Sequence, residues 1–497
     1  MSGFEYKTLK ELRALLDSKM VSSVELTKYF LSRIKNLDKD LNSFVTVSEE
    51  EALKNAKEAD EFINSPGENP FLCGIPYASK DLFNTKGIRT TASSKILDNF
   101  LPPFDATVTK KLKEQKSVLL GKTNLDEFAH GSSTETSAYG ASHNPWDKNR
   151  IPGGSSGGST AAVAGGLTPW ATATETGGSI RQPASLCGVS GWKPTYGRVS
   201  RYGVIAMGSS LDCPGAVAYT VEDLAHLAEI MSGHDEQDST TSPIQVPAYH
   251  KNLNKDISGL TLGVPKQYFV DGMEDGVREK VLDAIKHLEK LGAKIKEVDL
   301  PNTKYGSLVY AIICPSEVSS NLARFDGIRY GHSSKDAKTL LETYQKSRGE
   351  GFGTESKRRI LTGTYVLSAG YFDAYYRKAQ KVRRLIINEF NSVFKEVDAL
   401  ICPSSPNVAV KIGGAKENPL FGYIADQLNI PSSLAGLPAL SVPCGFARPS
   451  DGESPSMDGL PVGLQIIGPQ WGEQTIFNIG YAYQQETEWH RKHPSVE

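Results

Sequence analysis

The chain has 497 residues, 39% of them hydrophobic and 23% charged, the balance of a soluble globular protein with room for a large core. Its 55 basic residues stand against 57 acidic ones, a net charge of −2, which excludes direct electrostatic binding of nucleic acid or an anionic membrane. If RNA is handled, a partner carries most of the contact.

Residues 8–63 read as three helices. Leu9, Leu12, Leu15 and Leu16 line the first, and Ser22-x-x-Glu25 forms a capping box ahead of Leu26, Phe30, Ile34 and Leu37. Ser48-x-x-Glu51 opens the third, with Ala52, Ala56, Ala59 and Ile63 on one side. From Phe71 the pattern changes: the short apolar runs Gly74–Ala78 and Ser117–Gly121 bracket a helical stretch at Asp105–Gln115, an α/β alternation. Thr220–Met231 reads as a helix. Leu260–Val264, the helix Val277–Leu291 with its stop at Gly292, and Ile295–Leu300 make a further β-α-β unit. A long helix over 375–396 leads into the apolar run Ala399–Pro403. Strands at Leu440–Pro443 and Val462–Ile467 and a last helix over 472–486 complete the elements.

Segments 232–258 and 447–460 are rich in Asp, Ser, Pro and Gly and read as surface loops. No internal repeat and no long linker is present, so one large α/β domain over 1–497 is expected, although length alone suggests two or three. Within it, 1–65 is a helical layer, 71–220 the glycine-rich core and 221–497 the rest of the sheet. The six cysteines (Cys73, Cys187, Cys213, Cys314, Cys402, Cys444) show no CxxC spacing, which argues against a zinc site or disulfide framework and fits a reducing cytoplasm. The N-terminus has no apolar signal region, and no run of about 18 apolar residues occurs, so a soluble cytosolic protein is expected.

The most distinctive stretch is Gly153-Gly154-Ser155-Ser156-Gly157-Gly158-Ser159, followed by Gly177-Gly178-Ser179-Ile180-Arg181, with Lys80 in a short segment upstream. Glycine permits close backbone approach, so such turns can aim several N–H groups at one point and present a serine as a nucleophile. The plain alternative is a flexible linker. Simpler catalytic patterns fail. Gly121-Lys122-Thr123 lacks the earlier glycine of a P-loop, since that position is Lys116. Two overlapping G-x-S-x-G matches nominate Ser155 or Ser156 as a hydrolase elbow, but none of the nine histidines sits in a distinctive setting. Ser32-x-x-Lys35 and Ser392-x-x-Lys395 fall on amphipathic helices without the companion motifs of β-lactamases.

Pro152–Ser159 and Thr176–Ala184, with Lys80 in Gly74-Ile75-Pro76-x-x-x-Lys80-Asp81, together resemble the amidase signature family. The resemblance implies that family's fold, a large central mixed β-sheet covered by helices on both faces. It also implies a Ser-cisSer-Lys triad: Ser179 the acylated nucleophile, Ser155 the bridging serine on a cis peptide after Gly154, and Lys80 the base. The N–H groups of Thr176, Gly177, Gly178 and Ser179 would form the oxyanion hole. For Lys80 to act as a base near pH 7.5, its pKa must fall by about 3 from the usual value of ~10.4, a cost of about 4 kcal/mol that burial away from acids can supply. Asp81 argues the other way unless residues 79–82 are extended, which would send the two side chains to opposite faces.

Within the family the chain is similar, over nearly its whole length, to the glutaminase subunits of tRNA-dependent amidotransferases. Leu125–Phe128, Gly131–Ser137, Lys193–Gly203 and Ser319–Gly331 carry that likeness. It implies hydrolysis of glutamine to glutamate and ammonia, with no cofactor in this chain. The ammonia would pass to a larger B subunit, which uses ATP and Mg to amidate Glu-tRNA(Gln) or Asp-tRNA(Asn), and a small C subunit would wrap the interface. Free glutamine is a zwitterion, so its pocket needs a cation and an anion; the resemblance supplies Arg359 and Asp426, and Tyr310 lines the pocket. Three departures stand out: Glu175 where Asp is usual, His130 where Met is common, and Trp192 in place of a smaller aliphatic residue. Two other readings remain open, a stand-alone amidase using the same triad and an inactive scaffold subunit.

Overall fold

The computed structural model describes residues 3–414, 421–453 and 458–496. Its centre is an 11-stranded mixed sheet in the order β1-β3-β2-β4-β6-β5-β10-β11-β9-β7-β8. The strands are β1 (Phe44–Val47), β2 (Pro76–Lys80), β3 (Val118–Thr123), β4 (Trp170–Glu175), β5 (Ser190–Lys193), β6 (Cys213–Ala218), β7 (Thr261–Pro265), β8 (Lys294–Val298), β9 (Ala399–Pro403), β10 (Ala439–Ala447) and β11 (Leu460–Ile467). β3, β2 and β4 run parallel, as do β9, β7 and β8, while the middle of the sheet is antiparallel. Every residue of β2, β3, β4, β9 and β11 is buried. Successive side chains of a strand point to opposite faces, so both faces of the sheet are covered, the layered α/β build expected from the sequence.

The N-terminal helices form where the periodicity puts them, at Leu9–Asp17, Ser23–Leu41 and Glu49–Asn64. The Ser22 box closes: Ser22 Oγ accepts from Glu25 N at 3.1 Å, and Glu25 accepts from Ser22 N at 2.8 Å. The Ser48 box does not; Ser48 makes no side-chain cap bond, and three glutamates in the first turn meet the helix dipole instead. Four strands go unread in the sequence. β1 is four residues long and pairs only at the edge with β3, and β6 contains Pro214 and Gly215, which local rules count against a strand. The helices Gly306–Asn321, Leu340–Gly351 and Thr354–Leu367 also fill a stretch the periodicity leaves unassigned; the first is interrupted by Pro315 and half-buried on most sides. The long helix begins with a π turn, Asp373–Arg377, and runs as Lys378–Val393. Of the loop expected over 447–460, residues 454–457 lie outside the described residues. Among the described residues, no helix is long and apolar enough to cross a membrane.

Two parallel neighbours place the site. β2 and β4 run side by side with Ala78 opposite Ala171, so their carboxyl ends, Lys80 and Glu175, lie at the same end of the sheet. Open α/β sheets bind ligands beyond the carboxyl ends of their strands, because the loops that leave there converge.

Candidate active site

Lys80 is the last residue of β2 and is fully buried. Its Nζ lies within hydrogen-bond distance of Ser155 Oγ at 2.8 Å, Ser156 Oγ at 2.8 Å, Thr174 Oγ1 at 2.9 Å and the Thr174 carbonyl at 3.3 Å. Burial pushes its pKa down to about 7, against the weaker pull of Asp126, Asp212 and Glu175. Asp81 does not reach it. The strand ends at Lys80, and the Asp81 carboxylate turns to the Thr91 N–H and hydroxyl, at 2.9 and 2.5 Å, on the far side of the chain. The neighbour that threatened the base is therefore spent on a loop.

The Gly154–Ser155 peptide is cis. Gly154 admits no side chain: a Cβ there would lie 2.2 Å from Asp126 Oδ2, and that carboxylate in turn accepts from the N–H groups of Ser133 and Thr134 at 3.2 and 2.9 Å. Gly154 N also donates to Gln182 Oε1 at 3.0 Å. The serine turn is thus clamped between the 126–136 loop and the helix Arg181–Cys187.

The second turn leaves the end of β4. The N–H of Ser156 donates to the Ser179 carbonyl at 3.2 Å, which ties the two turns together. Among the described residues, the N–H groups of Thr176, Gly177, Gly178 and Ser179 donate to no protein atom, and Ser179 Oγ makes no hydrogen bond. Four successive unspent donors beside a free hydroxyl are what a developing oxyanion requires. Ser179 is 4% exposed, whereas Lys80 and Ser155 are at 0%, so Ser179 is the member of the three that a substrate can reach.

Glu175 shapes this turn. Its Oε2 accepts from the N–H groups of Ile180 and Arg181 at 3.1 and 3.2 Å, and Oε1 takes Arg181 Nε at 2.9 Å. Burial opposes the charge of Glu175, but Arg181 outweighs it and holds the carboxyl below its usual range. Arg181 is itself fully buried and also bonds Ser432 Oγ, Ser433 Oγ, Gln465 Oε1 and the Asn429 carbonyl. The longer acid therefore still pairs with the arginine. Trp192 fills the core between β5 and the helix Glu473–Gln485, with its ring 5.9 Å from that of Phe477.

Two of the three pocket residues, Asp426 and Tyr310, lie against the same turn. A Cβ on Gly178 would sit 2.1 Å from Asp426 Oδ1, and one on Gly177 would sit 3.3 Å from the Tyr310 hydroxyl, so both side chains lie against its backbone. Asp426 accepts from Ser132 Oγ at 2.6 Å through Oδ2, while its buried Oδ1 has no partner. Burial pushes its pKa up to about 8. Arg359 is 5% exposed and spends Nε on Glu355 Oε1 at 2.7 Å. Arg359, Ser132, His130, Glu135 and Tyr423 line a cavity of about 470 Å³, within the usual size of small-molecule sites. Among the described residues, no group of three or more His, Cys, Asp or Glu side chains is arranged to hold a metal ion.

Sequence reasoning missed three contributors. Ser156, offered only as a spurious elbow, bridges Lys80 to the Thr174 carbonyl, to which it donates at 3.1 Å. Thr174 supplies two of the four acceptors around Nζ. Asp212 accepts from Thr176 Oγ1 at 2.8 Å and is pushed by burial to a pKa of about 6. Only Ser156 carried a signal, its place beside Ser155.

The Amidase family model matches residues 25–477. The A subunit of the glutamyl-tRNA(Gln) amidotransferase of Nitrosococcus oceani is 53% identical over 490 residues, 99% of each chain. Among solved structures, the A subunit of the glutamyl-tRNA(Gln) amidotransferase of Thermotoga maritima has a TM-score of 0.82 at 41% identity, covering 100% of this chain and 99% of that one. The peptide amidase of Stenotrophomonas maltophilia has a TM-score of 0.85 at 29% identity, with 99% of each chain covered. Since the match from residue 25 to residue 477 takes in Lys80, both serine turns and the cavity walls, the chain belongs to the amidase family.

Proposed function

We propose that this chain is the glutaminase subunit of a tRNA-dependent amidotransferase. The observation that carries the reading is Asp426 Oδ1, a buried acceptor without a partner, set against the same turn that presents Ser179. A buried unpaired carboxylate oxygen costs stability unless a ligand satisfies it, and an α-ammonium does so. Arg359 supplies the opposite charge from the wall of a cavity that also includes Ser132, the partner of Asp426, so the site suits a zwitterionic amino acid; an amidase for apolar amides has no use for that pair. Likeness to the A subunit of a glutamyl-tRNA(Gln) amidotransferase over 99% of the chain supports the same choice.

In this reading neutral Lys80 takes the Ser155 proton as Ser155 takes the proton of Ser179. Ser179 Oγ attacks the amide carbon of glutamine, and the oxyanion is held by the N–H groups of residues 176–179. Collapse breaks the C–N bond and returns a proton to the leaving nitrogen, releasing ammonia and leaving a glutamyl ester on Ser179. Water, deprotonated through the same relay, hydrolyses the ester to glutamate. The ammonia is used by a B subunit, which consumes ATP with Mg and amidates Glu-tRNA(Gln) or Asp-tRNA(Asn), with a C subunit lying at the interface. The near-neutral charge of −2 agrees with tRNA being held mainly by the partner; the same reading places the chain in the cytoplasm as one large domain. The test is glutamine-dependent ammonia release by the chain with and without its partners and mischarged tRNA. Ser179→Ala is expected to lose about 10⁴-fold or more; full activity in that variant would overturn the assignment, and fast hydrolysis of varied amides by the lone chain would favour a stand-alone amidase.

A further inference from the structure

A second buried acceptor belongs to a residue of the cavity wall. His130 is fully buried, lines the cavity wall, and its Nε2 has no hydrogen-bond partner. The ring follows two non-glycine residues in the left-handed region, Phe128 at φ 50° and Ala129 at φ 63°, a backbone that functional sites tolerate more than others.

The neighbouring bonds decide which nitrogen carries the proton. Glu127 accepts from Ser94 Oγ at 2.5 Å, from the Gly353 N–H at 2.9 Å and from Ser356 Oγ at 2.6 Å. Ser356 has a single proton and gives it to Glu127, so toward His130 Nδ1, 2.9 Å away, its oxygen can only accept. Nδ1 therefore holds the hydrogen. Burial, reinforced by Arg359 and Arg358, keeps the ring neutral by pushing its pKa well below the usual value. Nε2 is left as a bare lone pair on a residue of the cavity wall.

We propose that His130 is a substrate-binding residue of this site, its Nε2 accepting a hydrogen bond from the α-ammonium of glutamine alongside Asp426. The inference rests on the glutaminase reading above. A lone-pair acceptor rejects the α-carboxylate and the amide oxygen, which are acceptors themselves. Two donors of glutamine remain. The amide nitrogen belongs at the Ser179 turn, whereas Arg359, the cation for the α-carboxylate, is the charge that bears most strongly on His130 and lines the same cavity. The ammonium sits on the same carbon as that carboxylate. His130 is two residues from Ser132, the residue bonded to Asp426, so one orphaned acceptor belongs to this loop and the other is hydrogen-bonded to it. An ammonium has three N–H groups, and one carboxylate oxygen does not satisfy them.

The experiment measures KM for glutamine and the inhibition constant of glutaramate, the same molecule without its α-amino group, on the chain assembled with its partners. In His130→Leu the KM for glutamine should rise about tenfold with kcat within about threefold, the scale of one lost charge-assisted hydrogen bond, while the glutaramate constant stays within about twofold. His130→Gln, whose amide oxygen can accept, should recover part of the loss; His130→Met repeats the test should the leucine variant fold poorly. Equal losses for both molecules, or an unchanged KM for glutamine, would overturn the proposal and leave the glutaminase reading intact. A wild-type assembly that releases no ammonia from glutamine would sink that reading, and this inference with it.

Discussion

Protonation of Lys80 is the perturbation that tests the site most directly. Its pKa is pushed from 10.5 to about 7 by complete burial. At about 1.4 kcal/mol per pH unit, that is about 5 kcal/mol against the charged form. The catalytic consequence follows from the populations. At pH 7 roughly half of the lysine is neutral, whereas a lysine at its ordinary value would be neutral in about one molecule in 3,000. Glutamine hydrolysis measured as kcat at saturating glutamine, where the binding carboxylate is already engaged, should therefore fall about tenfold per pH unit below pH ~7 and level off above it. The stability linkage has a definite sign. The depressed folded value means that the unfolded chain binds the extra proton between about pH 7 and 10.5, so stability rises with pH across that window, and the full cost stands below it. Replacing Lys80 with methionine removes this dependence, and in urea the stability advantage of the variant over the wild type should shrink by about 2 kcal/mol between pH 7 and pH 9. Lys80→Arg, which cannot deprotonate, should be inactive. An activity profile that stays flat to pH 5, or a limb near pH 10, would refute the reasoning, because either result removes neutral Lys80 from the mechanism.

Asp426→Asn should raise the KM for glutamine by about 10- to 100-fold by removing a charge-assisted bond, as steady-state kinetics will measure. In the wild type, whose empty-site carboxyl is at a pKa of about 8, that KM should fall as pH rises from 6 to 8, and the asparagine variant should lose the trend. Gly178→Ala places a methyl group 2.1 Å from Asp426 Oδ1, so the carboxylate must shift and KM should rise at least tenfold, with far-UV circular dichroism unchanged. Glu175→Gln leaves a fully buried Arg181 without its counter-charge and should cost about 3–5 kcal/mol in urea unfolding.

The residues themselves carry much of this architecture. The capped, 3.6-periodic N-terminal helices, the β-α-β unit around Asp275–Lys290 and the strands at the C-terminal end form where their patterns place them, because each is decided by local propensity and one apolar face. The two glycine turns and Lys80 are legible because a backbone that must pass within van der Waals contact of Asp126 and Asp426 tolerates only glycine at 154 and 178. Local pattern is silent on β1 and β6, whose short, Pro- and Gly-bearing segments become strands only through pairing with distant neighbours.

What tertiary structure alone decides is the electrostatic state of the site. No spacing rule says that Asp81 turns to Thr91 and leaves Lys80 among hydroxyls, or that Ser156 and Thr174 complete its shell. Both depend on the parallel register of β2 and β4 and on where the 126–136 loop folds back. A pKa is set by burial and by the charges within a few ångströms. The sequence names the lysine and the serines; the fold determines which of them is neutral, which is reachable and which acceptors are left waiting for a ligand.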